Sequence, residues 1–179
     1  MVRLGIDLGY GYTKVYPSKE KFRSSVFPYT SRYGFEDKKG VVEVDGEVFE
    51  VGRARSIELR TKKFQGSPEW RALLYWALRN VRVPSKVVLG LPISLASKEV
   101  RKEVERSLIG IHRCVIDGEE REIEIKDARV VPQGLGVLYD YFIEDGRLIK
   151  ERTEESIVVI DIGFYTTDVL VYRHGEILE

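Results

Sequence analysis

The sequence lacks the features by which several classes of protein are recognised. Among 179 residues it has one cysteine, Cys114, which excludes an internal disulfide framework and a cysteine-rich zinc site. No apolar run approaches the roughly 18 residues that a membrane-spanning helix needs, and the N-terminal residues do not resemble a signal peptide. Basic and acidic residues are equal in number, at 29 each, so no net field favours nucleic acid or an anionic membrane. We therefore expect a cytoplasmic protein that binds neither nucleic acid directly nor a membrane.

Residues that degrade at high temperature are scarce as well. The chain has one methionine, one asparagine (Asn80) and two glutamines (Gln65 and Gln133), whereas charged residues make up 32% of it. This balance favours a thermophilic source. Hydrophobic residues account for 43%, which excludes intrinsic disorder because that much apolar surface can form a core.

Short apolar runs alternate along the chain with helical patterns. Apolar residues at helical spacing predict three helices, at residues 67–81, 97–109 and about 133–142. Short apolar runs predict strands at residues 2–8, 12–16, 22–27, 41–44, 48–51, 86–91, 112–116, 122–125, 129–131, 156–160 and 166–172. Asp45-Gly46 and Asp117-Gly118 each separate two such runs, which predicts two tight hairpins. The combination indicates an α/β fold with a mixed sheet.

One pattern occurs twice: an apolar strand, an acid at its end, a glycine two residues later, a tight turn and a return strand. The two copies are Asp7-Leu8-Gly9-Tyr10-Gly11-Tyr12-Thr13-Lys14 and Asp161-Ile162-Gly163-Phe164-Tyr165-Thr166-Thr167-Asp168. A glycine turn lets main-chain N–H groups reach phosphate oxygens, and a carboxylate at a strand end can hold Mg²⁺ through water. A nearby lysine adds a point charge for phosphate. The pattern therefore suits a nucleoside triphosphate bound with a metal ion.

A simpler interpretation of each copy stays open. Two ordinary hairpins whose acids cap their own turns would have the same sequence pattern, although two copies in one chain are rarer by chance than one. Gln133, at the predicted start of the third helix, is by itself consistent with a plain N-terminal helix residue.

Together these motifs resemble the actin superfamily. The first hairpin, Asp7-x-Gly9-x-Gly11-x-x-Lys14, resembles the first phosphate loop of actin, and the second is similar to the second phosphate loop of actins, heat-shock chaperones and sugar kinases. Between them, Gly90-Leu91-Pro92 and residues 125–134 resemble prokaryotic actin-like ATPases of the ParM and archaeal actin kind. The resemblance covers nearly the whole chain and implies an α/β, ribonuclease H-like fold of the actin-like ATPase type.

The resemblance also implies a role for each matched residue. Asp7 and Asp161 would face each other and hold Mg²⁺ through water, and Gln133 would orient the attacking water. Lys14 would contact the β- and γ-phosphates of ATP. The remaining ATP-binding positions would be Gly9, Tyr10, Gly11, Tyr12, Gly163, Phe164, Tyr165, Thr166 and Thr167.

For the whole chain, the resemblance implies the N-terminal portion of an ATPase that forms filaments for DNA segregation or cytoskeletal organisation, with a segregation adaptor as a further partner. Residues 1–155 would form the first domain, with a small β-rich insertion at about 22–66, and residues 156–179 would open the second. The chain ends before the family's adenosine-binding glycines, and it has Phe164-Tyr165 where chaperones and division proteins have glycines. We therefore expect the 179-residue chain to be inactive alone and to self-associate by strand exchange or edge pairing at residues 156–179.

Two other functions remain open at this point. A chain with both phosphate loops and no adenosine pocket suits a non-hydrolysing binding or assembly module. A small-molecule kinase of the same superfamily is the third possibility, although apart from the two loop acids no residue marks a catalytic base.

Overall fold

The order of strands and helices in the structure follows the sequence pattern closely. The computed structural model describes residues 1–30, 39–53, 66–164 and 166–178. Within them the strands are β1 (Val2–Leu8), β2 (Tyr12–Tyr16), β3 (Glu20–Arg23), β4 (Val26–Pro28), β5 (Val41–Val44), β6 (Glu47–Val51), β7 (Ser85–Leu91), β8 (Gly110–Ile116), β9 (Glu119–Pro132), β10 (Ile143–Glu144), β11 (Arg147–Leu148), β12 (Ile157–Ile162), β13 (Thr167–Arg173) and β14 (Glu176–Leu178). The helices are α1 (Pro68–Ala77), α2 (Lys98–Leu108), α3 (Leu135–Phe142) and α4 (Lys150–Thr153), with a 3₁₀ turn at Ile93–Leu95. None of these helices is long and apolar enough to cross a membrane.

The main sheet is mixed, as the sequence predicts. Its nine strands lie in the order β3-β2-β1-β7-β9-β8-β5-β6-β4. β1 and β9 run parallel to β7, whereas the hairpin neighbours are antiparallel. β5 pairs with β8, so the strands of the β-rich stretch continue this sheet. The domain boundary near residue 155 remains a prediction.

The hydrophobic core covers one face of this sheet. Along β1, Leu4 and Ile6 are buried whereas Arg3, Gly5 and Asp7 are less so, because successive side chains in a strand point to opposite faces. Buried residues of α1 and α2 belong to the same core cluster as these strand residues. Ser67 caps α1 by accepting from the backbone N–H of Trp70 at 3.2 Å, as its sequence predicts. The opposite face, which carries Asp7, is left open for a site.

Both predicted Asp-Gly hairpins are confirmed. Asp45 and Gly46 join β5 to β6 with φ angles of 53° and 80°. Asp117 and Gly118 join β8 to β9 with φ angles of 55° and 83°. Positive φ at both central residues defines the turn type that matches the twist of a two-residue hairpin.

A second, three-stranded sheet, β12-β13-β14, packs on α3. Val159, Leu170 and Tyr172 of the sheet form a small core with Leu138 and Phe142 of the helix. On the other side of the sheet, Val158 and Ile160 are 58% and 61% exposed. β14 pairs with β13 over Glu176–Leu178.

Several predicted boundaries differ from those in the structure. Residues 122–125 and 129–131 belong to one strand, β9, which bulges where Ile125 and Asp127 pair with consecutive residues of β7. Residues 22–27 form the end of β3 and the start of β4, separated by Ser24 and Ser25. Both serines are buried, and Ser24 Oγ lies 2.9 Å from Thr13 Oγ1. α1 ends at Ala77, four residues before the predicted end.

Candidate functional site

Asp7 occupies the centre of the candidate site. It lies near the end of β1, between Lys14 on β2 and Gly90 on β7 in the register of the sheet. Lys14 Nζ donates to Asp7 Oδ2 at 3.1 Å, and Gln133 Nε2 donates to Asp7 Oδ1 at 3.0 Å. Both oxygens of the carboxylate are therefore held in fixed directions. Because the side chains of Lys14 and Asp7 are 61% and 39% exposed, this ion pair adds little to stability, about 0–1 kcal/mol.

Gln133 reaches Asp7 from a turn and not from a helix. The sequence predicts that α3 begins at about Gln133, but the helix begins at Leu135. Gly134 precedes it with a φ of 88°, a left-handed conformation that glycine adopts without steric cost, and this conformation ends the turn. The backbone N–H of Gln133 donates to the carbonyl oxygen of Leu91 at 2.7 Å. A Cβ added to Gly90 would lie 3.2 Å from Gln133 Cγ, so the glycine leaves room for the glutamine.

The first glycine loop joins β1 to β2 by close approaches of the backbone. A Cβ on Gly9 would lie 2.9 Å from the carbonyl oxygen of Tyr12, and one on Gly11 would lie 2.8 Å from Phe164 Cβ. The backbone N–H of Ser24 donates to the carbonyl oxygen of Gly11 at 3.1 Å. Larger residues would therefore force this loop to change shape.

The second glycine loop, between β12 and β13, is closed by its own hydrogen bonds. Gly163 N–H donates to the carbonyl oxygen of Thr166 at 2.8 Å, and Thr166 Oγ1 donates to Asp168 Oδ2 at 3.2 Å. Asp161 and Asp168 lie directly opposite each other in the register of the two strands. Two carboxylates in that relation repel each other, which is a reason for a cation to bind near them.

The two loops border one cleft of about 330 Å³. Of the predicted site residues, the structure brings together Asp7, Gly9, Tyr10, Gly11, Tyr12, Lys14, Gln133, Asp161, Gly163, Phe164 and Thr166. Thr167 begins β13 opposite Ile162 and does not line the cleft. Tyr165 lies outside the described residues. The cleft is at the small end of the range for ligand sites, about 300–1,000 Å³.

Lys21 and Asp168 also line the cleft, although the motifs do not mark them as site residues. Lys21 stands directly opposite Lys14 in the register of β2 and β3. Side chains alternate between the two faces along β3, but this alternation places Lys21 on the same face as Lys14 only once the hairpin register is known. Asp168 belongs to the repeated motif, and only the pairing of β12 with β13 was needed to place it opposite Asp161.

The donor chemistry of the cleft fits a hydrated Mg²⁺ ion. Mg²⁺ keeps several water ligands and is held in nucleotide sites by one or two carboxylates together with phosphate oxygens. Asp7 and Asp161 are two such carboxylates on the border of one cleft. Among the described residues there is no group of three or more His, Cys, Asp or Glu side chains that could enclose a metal ion. A site made of two carboxylates needs oxygens from water or from a ligand to complete the coordination of the ion.

The fold and the paired acid-glycine hairpins are those of an actin-like protein. The family model described as the N-terminal domain of actin-like proteins matches residues 5–136, and the chain belongs to this family. It is 30% identical over 192 residues to an archaeal actin homologue from Thermoplasma volcanium, covering 95% of this chain and 57% of the relative. A homologue from Thermoplasma acidophilum is 31% identical with the same coverage.

Solved structures agree on the fold. The crystal structure of an archaeal actin homologue superposes with a TM-score of 0.73 at 28% identity, covering 98% of this chain and 58% of the other. The AlfA filament bound to AMPPNP gives a TM-score of 0.76 at 19% identity, covering the whole of this chain and 67% of the other. The present chain thus spans little more than half the length of the curated relatives that it matches, at 57%.

Proposed function

We propose that the chain is the nucleotide-binding N-terminal part of an actin-like ATPase, and that it binds Mg-ATP in the cleft between its two glycine loops. The observation that carries the proposal is that Asp7 and Asp161, from the two copies of one motif, line the same cleft together with Lys14. Membership of the actin-like family supports it.

Asp7 and Asp161 are the proposed metal-binding residues. When bound, Mg²⁺ would neutralise part of the charge of the phosphates. Lys14 is the proposed contact to the β- and γ-phosphates. Its ammonium group has three donors and uses one of them on Asp7, so it can bind a phosphate oxygen without leaving the carboxylate. The ion pair then keeps the lysine aimed at the cleft in the absence of nucleotide.

The glycine loops would contribute shape and main-chain donors. Gly9 and Gly11 let the first loop approach its neighbours at distances that a side chain would prevent, and with Tyr10 and Tyr12 they are proposed to bind the phosphates. In the second loop the N–H of Gly163 already donates to the carbonyl oxygen of Thr166. We therefore propose that Gly163 determines the shape of the loop. Phe164 and Thr166, which line the cleft, are proposed to complete the phosphate site, whereas Thr167 and Tyr165 are proposed to bind nucleotide on the motif alone.

Gln133 is proposed to orient the water that attacks the terminal phosphate. Its amide NH₂ group donates to Asp7, which leaves its amide oxygen to accept a hydrogen bond from water. A glutamine held on both its backbone and its side chain has lost much of its rotational freedom before substrate binds. Its contribution is therefore expected in the hydrolysis rate and not in nucleotide affinity.

We propose that the whole protein assembles into filaments for DNA segregation or cytoskeletal organisation. A segregation adaptor is its proposed further partner. Structural neighbours of this chain include the AlfA filament and a second filament, Alp12. A filament needs a head-to-tail contact between two different surfaces of the subunit. The exposed apolar side of β12 and β13 is the surface of this chain that we propose to take part in self-association.

The test is calorimetric titration of the chain with Mg-ATP, comparing Asp7→Asn with Asp127→Asn. Asp127 is a matched control because it is 38% exposed on the same sheet and binds Lys86 at 3.3 Å. We expect weak, magnesium-dependent binding that Asp7→Asn weakens about tenfold or more, whereas Asp127→Asn leaves it unchanged. Equal effects of the two variants would show that Asp7 has no special role.

The non-hydrolysing binding module is a second candidate. One observation favours it: Phe164 packs against Gly11, so a bulky side chain closes the second loop on the first. Measurement of phosphate release under conditions that saturate binding separates the two functions. Binding without release of phosphate would favour the module.

A further inference from the structure

A row of charged side chains crosses the three strands β1, β2 and β3. Asp7 pairs in register with Lys14, and Lys14 pairs in register with Lys21. Side chains that face each other across an antiparallel pair interact directly, and like charges in that position destabilise the sheet. Two lysines side by side therefore work against the fold unless something negative lies between or above them.

The two lysines differ in how their charge is balanced. Lys14 Nζ lies 3.1 Å from Asp7 Oδ2, so its charge is largely compensated. Lys21 forms no ion pair with any residue in the part of the chain that the structure describes. Its ammonium group instead lies over the ring of Tyr12, 4.3 Å from the ring centre. Lys21 thus carries the uncompensated positive charge of the pair.

The ring of Tyr12 restrains a side chain that would otherwise be mobile. A lysine ammonium group is attracted to the face of an aromatic ring, and this contact holds Lys21 beside Lys14 and not out in solvent. Tyr12, Lys14 and Lys21 all line the cleft that the two glycine loops border. The restrained charge therefore points to an anion in that cleft.

We propose that Lys21 is a second phosphate-binding lysine of the cleft and that Tyr12 is the residue that positions it. The assignment rests on the proposed binding of a nucleoside triphosphate and adds a residue to that site. A compact ammonium group suits the terminal phosphates because it acts as a point charge. Lys21 then favours a chain of three phosphates over shorter ones, since each added phosphate brings more negative charge to the pair of lysines.

The experiment is calorimetric titration of the chain with inorganic tripolyphosphate, pyrophosphate and Mg-ATP. Lys21→Met is expected to weaken binding of tripolyphosphate about fivefold or more and binding of pyrophosphate by less. Lys21→Arg should bind tripolyphosphate with an affinity within about twofold of that of the original chain, because arginine keeps the positive charge. Tyr12→Leu should give an intermediate loss of about two- to threefold, since the ammonium group stays but is no longer held.

Lys102→Met is the matched control, because Lys102 is an exposed lysine of α2 and its loss changes the net charge equally. All variants should melt within a few degrees of the original chain. If Lys14→Met weakens binding but Lys21→Met behaves like Lys102→Met, the assignment of Lys21 is wrong and the proposed function stands. If the original chain binds neither tripolyphosphate nor Mg-ATP, the proposed function is wrong and the assignment with it.

Discussion

Substitution of Gly11 by alanine tests whether the two glycine loops touch. A Cβ at this position would lie 2.8 Å from Phe164 Cβ and 2.9 Å from Phe164 Cγ. Carbon atoms in contact are about 3.5–4.0 Å apart. The ring of Phe164 can rotate away because it is 64% exposed, but its Cβ is fixed to the backbone of the loop. The added methyl group therefore has to move one loop relative to the other.

We expect Gly11→Ala to lower the free energy of unfolding by about 1–3 kcal/mol, the usual cost of inserting a methyl group into a packed contact. Urea denaturation followed by circular dichroism measures the loss, and amide hydrogen exchange of residues 157–173 shows whether the second sheet opens more often. In the same background, Phe164→Gly removes both clashing atoms and should restore most of the stability. The two substitutions are thus expected to be strongly coupled.

Gly136→Ala is the control for the general effect of replacing glycine. Gly136 lies in α3, and a Cβ there meets nothing within 4 Å. The substitution should stabilise the chain by about 0.5–1 kcal/mol because alanine is the better helix former. The contact between the two loops is refuted if Gly11→Ala matches the original chain in stability and hydrogen exchange, or if Phe164→Gly brings no recovery.

Three further predictions concern other parts of the molecule. Gln133→Ala should leave ATP affinity within a few-fold but slow hydrolysis by about 10- to 1000-fold; phosphate release at the normal rate would remove its proposed role. Val158→Lys, on the 58% exposed side of β12, should shift the chain towards monomers in light scattering, whereas Val83→Lys, 50% exposed elsewhere, should not. Burial raises the pKa of Cys114 from 9.0 to about 11 and that of Tyr75 from 10.0 to about 12. As the pH rises, the unfolded chain loses these protons before the folded chain does. The melting temperature should therefore be unaffected by these groups below pH 9 and fall as the pH rises through 11. The fall should be less steep in Cys114→Val, and the same dependence on pH in this variant and the original chain would contradict the prediction.

The parts of the fold that the sequence predicted correctly are those decided by a few neighbouring residues. Asp45-Gly46 and Asp117-Gly118 form tight hairpins because their own backbone conformations determine the turn. Ser67 begins α1 because its side chain bonds to an N–H three residues away. The family itself was predicted from the two hairpin motifs together with Gly90-Leu91-Pro92 and residues 125–134, and the match over residues 5–136 confirms it.

The errors in the prediction have a common physical cause. β9 continues through residues 126–128 because pairing with β7 on one side of the sheet absorbs the bulge. Gln133 leaves α3 because Gly134, which packs beside Val159 of the second sheet, adopts a left-handed conformation that interrupts the helix. Both outcomes depend on neighbours that are far away in sequence, which local patterns do not record.

The sequence by itself determined which residues are candidates for the chemistry: an acid and at least one glycine in each of two hairpins, with a lysine in the first and threonines in the second. Their arrangement depended on tertiary structure. Asp7 meets Gln133 across 126 residues of chain, and Gly11 meets Phe164 because two separate sheets bring their loops together. Lys21 faces Lys14 only in the observed hairpin register, and a shift of one residue would turn it to the other face. Motifs arise from local chemistry, whereas a cleft arises from strand order and register, which long-range packing selects.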